Sequence, residues 1–254
     1  MTKIIMHGYN GHMGRVICDI VSKDKDCEIA AGVDVVESNA PFPTFTDINL
    51  CNVDADVIID FSTASAVDSV VKYAVKKNIA AVICTTGLSD NTLSLIKEVS
   101  AKIPLFRSAN MSIGINLICS ILKKYAPILD EAGFDIEILE KHHNLKLDAP
   151  SGTAILLADS INESMNSKFD YVYDRSTVRK QRDRSEIGIS AMRGGTIVGE
   201  HSVMFAGRNE VIEINHSAQS KEVFAVGAVK AAKFSAGKAP GLYDMQDVMK
   251  ESLQ

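Results

Sequence analysis

The chain has 254 residues, 46% hydrophobic and 23% charged, globular proportions that exclude a disordered chain, a collagen-like fibre and a disulfide mini-scaffold. Its 27 Lys and Arg against 32 Asp and Glu leave a net charge of −5, the wrong sign for a general nucleic-acid or anionic-membrane binder. The N-terminus runs straight into an apolar stretch without a basic flank, and the uncharged run 108–122 is too short and polar to span a bilayer, so a soluble, cytoplasmic protein is expected.

The first half alternates short apolar runs with helical periodicity. Residues 3–6 predict a strand, and residues 13–23 a helix with Val16, Ile17, Ile20 and Val21 on one face. A second strand is expected at 28–33, followed by an irregular stretch holding Pro41 and Pro43. The run Val-Ile-Ile-Asp-Phe at 57–61 suits a strand buried on both faces. A helix over 64–77, a strand over 80–84, a helix over 91–101 and a strand over 104–106 continue the alternation. Strands alternating with helices imply a parallel sheet of β-α-β units.

The pattern changes after about residue 110. A long apolar helix is expected at 113–129, an alternating strand at 135–139 and a helix at 154–162. Strands at 187–192, 196–206 and 211–216, separated by Gly194-Gly195 and Gly207-Arg208-Asn209, read as an antiparallel meander in a second domain. The local basic run Arg175, Arg179, Lys180, Arg182 and Arg184 reads as a solvated loop. A last helix is expected at 223–235, stopped by Gly237 and Pro240. Five cysteines, Cys18, Cys27, Cys51, Cys84 and Cys119, make an odd set without a C-x-x-C pair, which argues against a disulfide framework and for a reducing compartment.

Two constellations carry chemistry. Gly8-Tyr9-Asn10-Gly11-His12-Met13-Gly14-Arg15 follows a strand and opens a helix, with glycines spaced G-x-x-G-x-x-G. Such a turn lets a pyrophosphate approach backbone N–H groups at a helix N-terminus. Asp34, twenty positions after Gly14, ends the second strand region, where a carboxylate accepts hydrogen bonds from adenosine ribose hydroxyls. Val35 and Val36 follow it instead of a cation, so a 2′-phosphate would meet an uncompensated carboxylate. NADH is therefore expected over NADPH, with Arg15 or a distant cation able to admit NADPH. Cys84-Thr85-Thr86-Gly87 and Ser108-Ala109-Asn110-Met111-Ser112 each follow a parallel strand and are candidate nicotinamide-side loops. Cys84 has no identifiable base, which leaves it a poor nucleophile.

The second constellation runs from Glu140 to Ala154 as EKHHNLKLDAPSGTA. His142, His143 and Lys146 can donate protons or pair with carboxylates. Ser151-Gly152-Thr153 leads into an apolar helix, whose first N–H groups make an anion site. Cations beside a helix-end anion hole suit a small dicarboxylate. Adjacent histidines with no third ligand nearby argue against zinc, and no metal is expected. His201 and His216 lie on expected strands and read as structural.

The motif His142-His143-x-x-Lys146-x-Asp148-Ala-Pro-Ser-Gly-Thr-Ala resembles the signature of the 4-hydroxy-tetrahydrodipicolinate reductase (dihydrodipicolinate reductase) family. The resemblance extends through the glycine loop, Thr85-Thr86-Gly87, Ala109-Asn110, Ile187-Gly-Ile-Ser-Ala-Met-Arg-Gly-Gly, Val198-Gly-Glu-His, Phe224-Ala-Val-Gly-Ala and Gly241-Leu-Tyr-Asp-Met. It implies an α/β protein: a Rossmann-type parallel-sheet domain over 1–110 completed by 222–254, and a substrate-binding and oligomerisation α+β domain with a mixed or antiparallel sheet over 111–221. It implies a homotetramer that reduces the cyclic imine dicarboxylate to tetrahydrodipicolinate with NAD(P)H, on the diaminopimelate route to lysine. His142 matches the family's proton donor or acceptor, and Lys146 its proton donor. His143, Lys146, Gly152 and Thr153 match substrate-binding residues. Gly8, Tyr9, Asn10, Gly11, His12, Met13, Asp34, Cys84, Thr85, Thr86, Ala109, Asn110 and Met111 are the cofactor-binding expectation.

The chain departs from the pattern in four places. Cys84 stands where a glycine is usual, Met111 where phenylalanine is common, Lys221 where an arginine often serves the substrate, and Val35 where some members carry arginine. Two other readings compete: an aspartate dehydrogenase-like Rossmann enzyme, and a non-catalytic NAD-binding protein, since a fold alone proves no function.

Overall fold

A computed structural model describes residues 1–166 and 168–251. In chain order the elements are β1 (Thr2–His7), α1 (His12–Ser22), β2 (Cys27–Val33), β3 (Thr44–Phe45), β4 (Val57–Asp60), α2 (Val67–Lys77), β5 (Ala80–Ile83), α3 (Asp90–Val99) and β6 (Pro104–Arg107). There follow α4 (Ile113–Glu131), β7 (Asp135–His142), α5 (Gly152–Ser164), β8 (Asp170–Val172), β9 (Glu186–Arg193), β10 (Gly199–Ala206) and β11 (Val211–Ala218), and finally α6 (Glu222–Ser235), β12 (Gly241–Tyr243) and α7 (Met245–Glu251). The chain divides into two compact units, Met1–Ser112 with Glu222–Gln254, and Ile113–Lys221.

The first unit holds a parallel seven-stranded sheet of order β12-β6-β5-β4-β1-β2-β3. Every residue of β4 and β5 is buried, as strands covered on both faces require. Val67, Val70, Val71 and Ala74 of α2 and Ile96 and Val99 of α3 pack on Ile5, Ala31, Ile58, Ala81 and Ile83. α6 packs against α1, β4 and β5. Thus α6 is the crossover that feeds edge strand β12, whose Leu242 pairs with Leu105. The helix expected over 64–77 begins as a separate 3-10 turn at Ala64–Ala66. It ends where Asn78 adopts the left-handed conformation with φ 53°, one that asparagine tolerates well. Ser89 caps α3 by accepting from the Thr92 N–H.

The second unit holds a five-stranded mixed sheet of order β11-β10-β7-β9-β8. The expected three-strand meander is only partly formed. β10 and β11 make an antiparallel hairpin, but β9 does not pair with β10; β7 lies between them, parallel to β9 and antiparallel to β10. Pairing on both sides also carries β7 to His142, beyond the expected end at 139, with Lys141 opposite Glu200 and His142 opposite Arg193. Strand alternation then sends Ile136, Ile138, Glu140 and His142 to the buried face. There α4 and α5 supply Ile115, Ile118, Leu122, Leu157 and Ile161 to a core with Ile187, Ile189, Val203 and Phe205.

The basic run is a loop, as expected, with Arg175, Arg179, Lys180 and Arg184 exposed and Arg182 half-buried. Arg175 and Arg182 both reach Glu137 Oε1, at 2.8 and 2.9 Å, and Arg182 also reaches Asp135 Oδ1 at 2.9 Å. Acidic residues brought up by β7 and β9 draw the arginines onto the sheet.

Candidate active site

In the first unit the strand order reverses between β1 and β4, and such switch points are where open α/β sheets hold ligands. Gly8 leaves β1 with φ +84°, and a Cβ there would lie 2.4 Å from the Phe61 carbonyl oxygen. A Cβ on Gly14 would lie 2.1 Å from the Gly8 oxygen. The loop closes this tightly only with glycine at both places. Gly11 caps α1 without a side-chain hydrogen bond, so the first N–H groups of the helix, at His12 and Met13, are presented for an anion. Asp34 Oδ2 accepts from the Asn10 N–H at 3.1 Å and Oδ1 from the Val36 N–H at 3.3 Å. Arg15 Nη2 donates to Asn10 Oδ1 at 2.7 Å. A cavity of about 260 Å³ is lined here by Gly8, Gly11, Asp34, Val35, Phe61 and Thr63. The Tyr9 ring is not in its lining: it packs edge-on to Phe42 with its hydroxyl accepting from the Ser38 N–H at 2.9 Å.

The fully buried Asp60 carboxylate ties together the ends of three neighbouring strands. Oδ1 meets His7 Nδ1 at 2.7 Å and accepts from Ser62 Oγ at 2.6 Å, while Oδ2 accepts from Thr85 Oγ1 at 2.6 Å. Burial, and then the charge of Asp60, pushes the Cys84 thiol well above its usual value, so Cys84 stays protonated and is no nucleophile. Thr86 and Ala109 are exposed, and Met111 is buried. Asn110 Oδ1 accepts from the Ser112 N–H at 2.8 Å and shapes that turn.

In the second unit the Glu140 carboxylate, 0% exposed, accepts four hydrogen bonds. His142 Nδ1 at 2.6 Å and Arg193 Nη1 at 2.8 Å meet Oε2. Arg193 Nη2 at 2.7 Å and the Ser151 N–H at 2.9 Å meet Oε1. Burial works to raise this carboxyl, but the bonds from Arg193, His142 and Ser151 outweigh it and hold it below the usual range. Ser151 Oγ caps α5 by accepting from the Ala154 N–H at 3.2 Å, and it meets His201 Nε2 at 3.1 Å. The His201 ring stands edge-on to His142, 5.2 Å between centroids. Burial, then the nearby His142, lowers His201 to about 4, so at neutral pH it is an uncharged ring.

Lys146 lies in the loop after β7 with Nζ 2.8 Å from Asp148 Oδ1, and its ammonium holds the Asp148 carboxyl below the usual range. Among the described residues, the buried Nδ1 atoms of His143, His201 and His216 have no hydrogen-bond partner. A Cβ at Gly152 would meet nothing within 4 Å, so open space lies before the α5 N-terminus. The structure thus brings His142, Ser151 and His201 into one hydrogen-bonded cluster beside Gly152 and Thr153, and keeps Lys146 on the adjoining loop.

The comparisons with known proteins decide the family. The model for the dihydrodipicolinate reductase N-terminus matches residues 2–111, and that for its C-terminus matches residues 114–249. The chain belongs to the dihydrodipicolinate reductase family. A 4-hydroxy-tetrahydrodipicolinate reductase of Caldanaerobacter subterraneus subsp. tengcongensis is 53% identical over 251 residues, covering 99% of both chains. One of Clostridium botulinum is 51% identical over 250 residues, covering 98% of both. The dipicolinate-bound dihydrodipicolinate reductase from Paenisporosarcina sp. TG-14 superposes with a TM-score of 0.78 at 24% identity, covering 96% of this chain and 97% of that one. An aspartate dehydrogenase from Thermotoga maritima also superposes, with a TM-score of 0.52 at 12% identity, covering 94% of this chain and 98% of that one; that likeness shows a shared fold alone. The dihydrodipicolinate reductase family reduces the dihydrodipicolinate intermediate on the diaminopimelate route to lysine, and the chain is an oxidoreductase of that kind.

Sequence reasoning assigned no role to Glu140, Arg193, Asp60 or His7, and read His201 as structural. The spacing Glu140-x-His142 was a usable signal, because residues two apart on a strand share a face. Arg193, 53 residues from Glu140, stood only within the family-like stretch 187–195, with nothing to link it to Glu140.

Proposed function

We propose that this reductase takes NADH in preference to NADPH on its first unit and the cyclic dicarboxylate on its second. The Gly8 and Gly14 positions, where a Cβ would strike backbone, fit a cradle for a pyrophosphate. Asp34 accepts hydrogen bonds from the adenosine ribose, and the 84–86 and 109–111 loops flank the nicotinamide. When bound, the reduced nicotinamide supplies a hydride. Gly152 and Thr153 at the start of α5 hold one substrate carboxylate through backbone N–H groups, and His143 with Lys146 answers the other. Lys146, with His142 beside it, delivers the proton that completes reduction.

One observation carries this reading: the carboxylate that holds His142 also holds the Ser151 N–H at the head of α5. A proton-carrying imidazole and an anion-binding helix end therefore form one unit. A second reading of the cofactor has its own support. Arg15 is bonded to Asn10, which itself bonds Asp34, and a guanidinium near that carboxylate supports NADPH as a usable cofactor.

The open face of the five-stranded sheet, carrying Glu137, Leu139, Lys141, Glu200, Ser202 and Met204 around a cavity of about 540 Å³, supports assembly as a homotetramer. The described residues contain no helix long and apolar enough to cross a membrane, in keeping with a cytoplasmic enzyme. The test is NADH oxidation by purified protein, with substrate formed in situ from pyruvate and aspartate semialdehyde and NADPH run in parallel. Turnover blocked by dipicolinate and faster with NADH is the expected result. Turnover of aspartate with NAD, or NADH binding without turnover, would overturn it. Light scattering that gives a monomer would overturn the tetramer.

A further inference from the structure

We propose that Glu140, clamped by Arg193, is the positioning residue of the reaction: it sets the tautomer and direction of His142 and locks the head of α5 to the same carboxylate. This rests on the reading of His142 and of the Ser151–Thr153 turn given above.

The argument begins with the lone pairs. A carboxylate offers about four acceptor sites, and four donors reach Glu140 at 2.6 to 2.9 Å. Two of them come from a guanidinium, which is always charged and matches a carboxylate as a fork. Glu140 is therefore ionised and can only accept. The hydrogen between it and His142 must sit on Nδ1, which leaves Nε2 as the nitrogen whose proton exchanges with the site. Glycine at position 199 spares that nitrogen a close side chain: a Cβ there would lie 3.1 Å from His142 Nε2.

The charge balance points the same way. Glu140 alone would leave a buried negative charge beside the imidazole and hold its proton. Arg193 cancels that charge, so His142 can carry or release a proton without stranding an unpaired buried ion. The other titratable groups around it are His143, Lys146 and Asp148 on the chain after β7, His201 on β10 and His216 on β11. His201 is uncharged at neutral pH, and the charged partner bonded to the ring is Glu140, itself paired with Arg193. The Ser151 N–H bond to Glu140 Oε1 extends the clamp to α5. One carboxylate thereby sets the spacing between the imidazole and the helix end that receives a substrate carboxylate.

The test uses Glu140→Gln, Glu140→Asp, Arg193→Met and His142→Asn in the full chain, with pH profiles of kcat, dipicolinate inhibition and NADH affinity. An amide cannot accept from all four donors and presents its NH2 to some of them. Glu140→Gln is expected to lower kcat roughly 10- to 100-fold, as loss of a partner behind a working histidine does. It should weaken dipicolinate and leave NADH affinity unchanged, and Glu140→Asp should recover part of kcat. Arg193→Met leaves the Glu140 charge uncompensated, which favours the imidazolium, so the alkaline limb of the profile should move to higher pH. A wild-type kcat and profile in Glu140→Gln overturns the proposal. If Glu140→Gln does not fold, by near-UV circular dichroism, Arg193→Met decides: a shifted limb supports the proposal and an unchanged limb overturns it. His142→Asn separates the two levels. Normal turnover there removes the underlying reading of His142, whereas a crippled His142→Asn beside a normal Glu140→Gln removes only the positioning role.

Discussion

Each unit builds its site around a buried carboxylate at or near the end of a strand and joins it to a histidine Nδ1. Asp60 meets His7 at 2.7 Å and Glu140 meets His142 at 2.6 Å. The other donors differ. Asp60 collects the hydroxyls of Ser62 and Thr85, whereas Glu140 collects a guanidinium and a backbone N–H. Hydroxyl donors tie loops together around a fixed cradle. A guanidinium also balances the charge of the buried carboxylate. The same acid–imidazole pair thus recurs in both units, with different partners completing the carboxylate.

The largest effect expected from separating the two is at Lys146. Lys146→Ala should lower kcat roughly 100-fold or more, as removal of a general acid does, with NADH affinity unchanged by fluorescence titration; near-normal kcat would take Lys146 out of the chemistry. Next comes Gly14→Ala, which drives a methyl into the Gly8 carbonyl. Loss of measurable NADH binding is expected, with dipicolinate still bound by calorimetry. Asp60→Ala should follow, stranding buried donors at a cost of about 3 kcal/mol, read as a lower Tm together with weaker NADH binding; an unchanged NADH affinity would break the assignment of Asp60 to the cradle. Asp34→Ala should weaken NADH about tenfold, as loss of a charged hydrogen-bond acceptor does, and NADPH less. A preserved NADH-to-NADPH ratio would mean that Asp34 does not read the ribose.

The smallest expected effect is on stability against pH. The folded state holds His201 at about 4, below the ordinary histidine value of 6.5. Between these values the unfolded chain binds a proton that the native state does not, so stability is lost as pH falls from about 6.5 toward about 4. Tm measured across that window should therefore drop on acidification, and His201→Gln should flatten the slope; an equal slope in the variant would assign it to other groups.

The parallel alternation of the first unit was legible because every residue of β4 and β5 is buried, leaving short, mainly apolar runs in the sequence. β3, β8 and β12 span two or three residues each, too few for any periodicity. The meander expectation stumbled on β7, because strands close in sequence are the usual partners and here a strand from far upstream entered between β9 and β10. In the candidate site, the motif from His142 to Thr153 was visible as a contiguous string, while Asp60 looked like the end of an apolar strand and Arg193 like part of a glycine-rich turn.

By itself the sequence determined what lies within one element or turn: the glycine loop and the helix after it, Asp34 at a strand end, and the imidazoles and lysine ahead of a capped helix. Those features depend on local backbone sterics and on neighbours a few residues apart. The tertiary structure decided which face of β7 is buried, hence that Glu140 and His142 point together, and that Arg193 closes on Glu140 from the strand alongside. The physical reason is that a strand acquires its face and its hydrogen-bond partners only from the strands and helices packed on it, and those come from far along the chain.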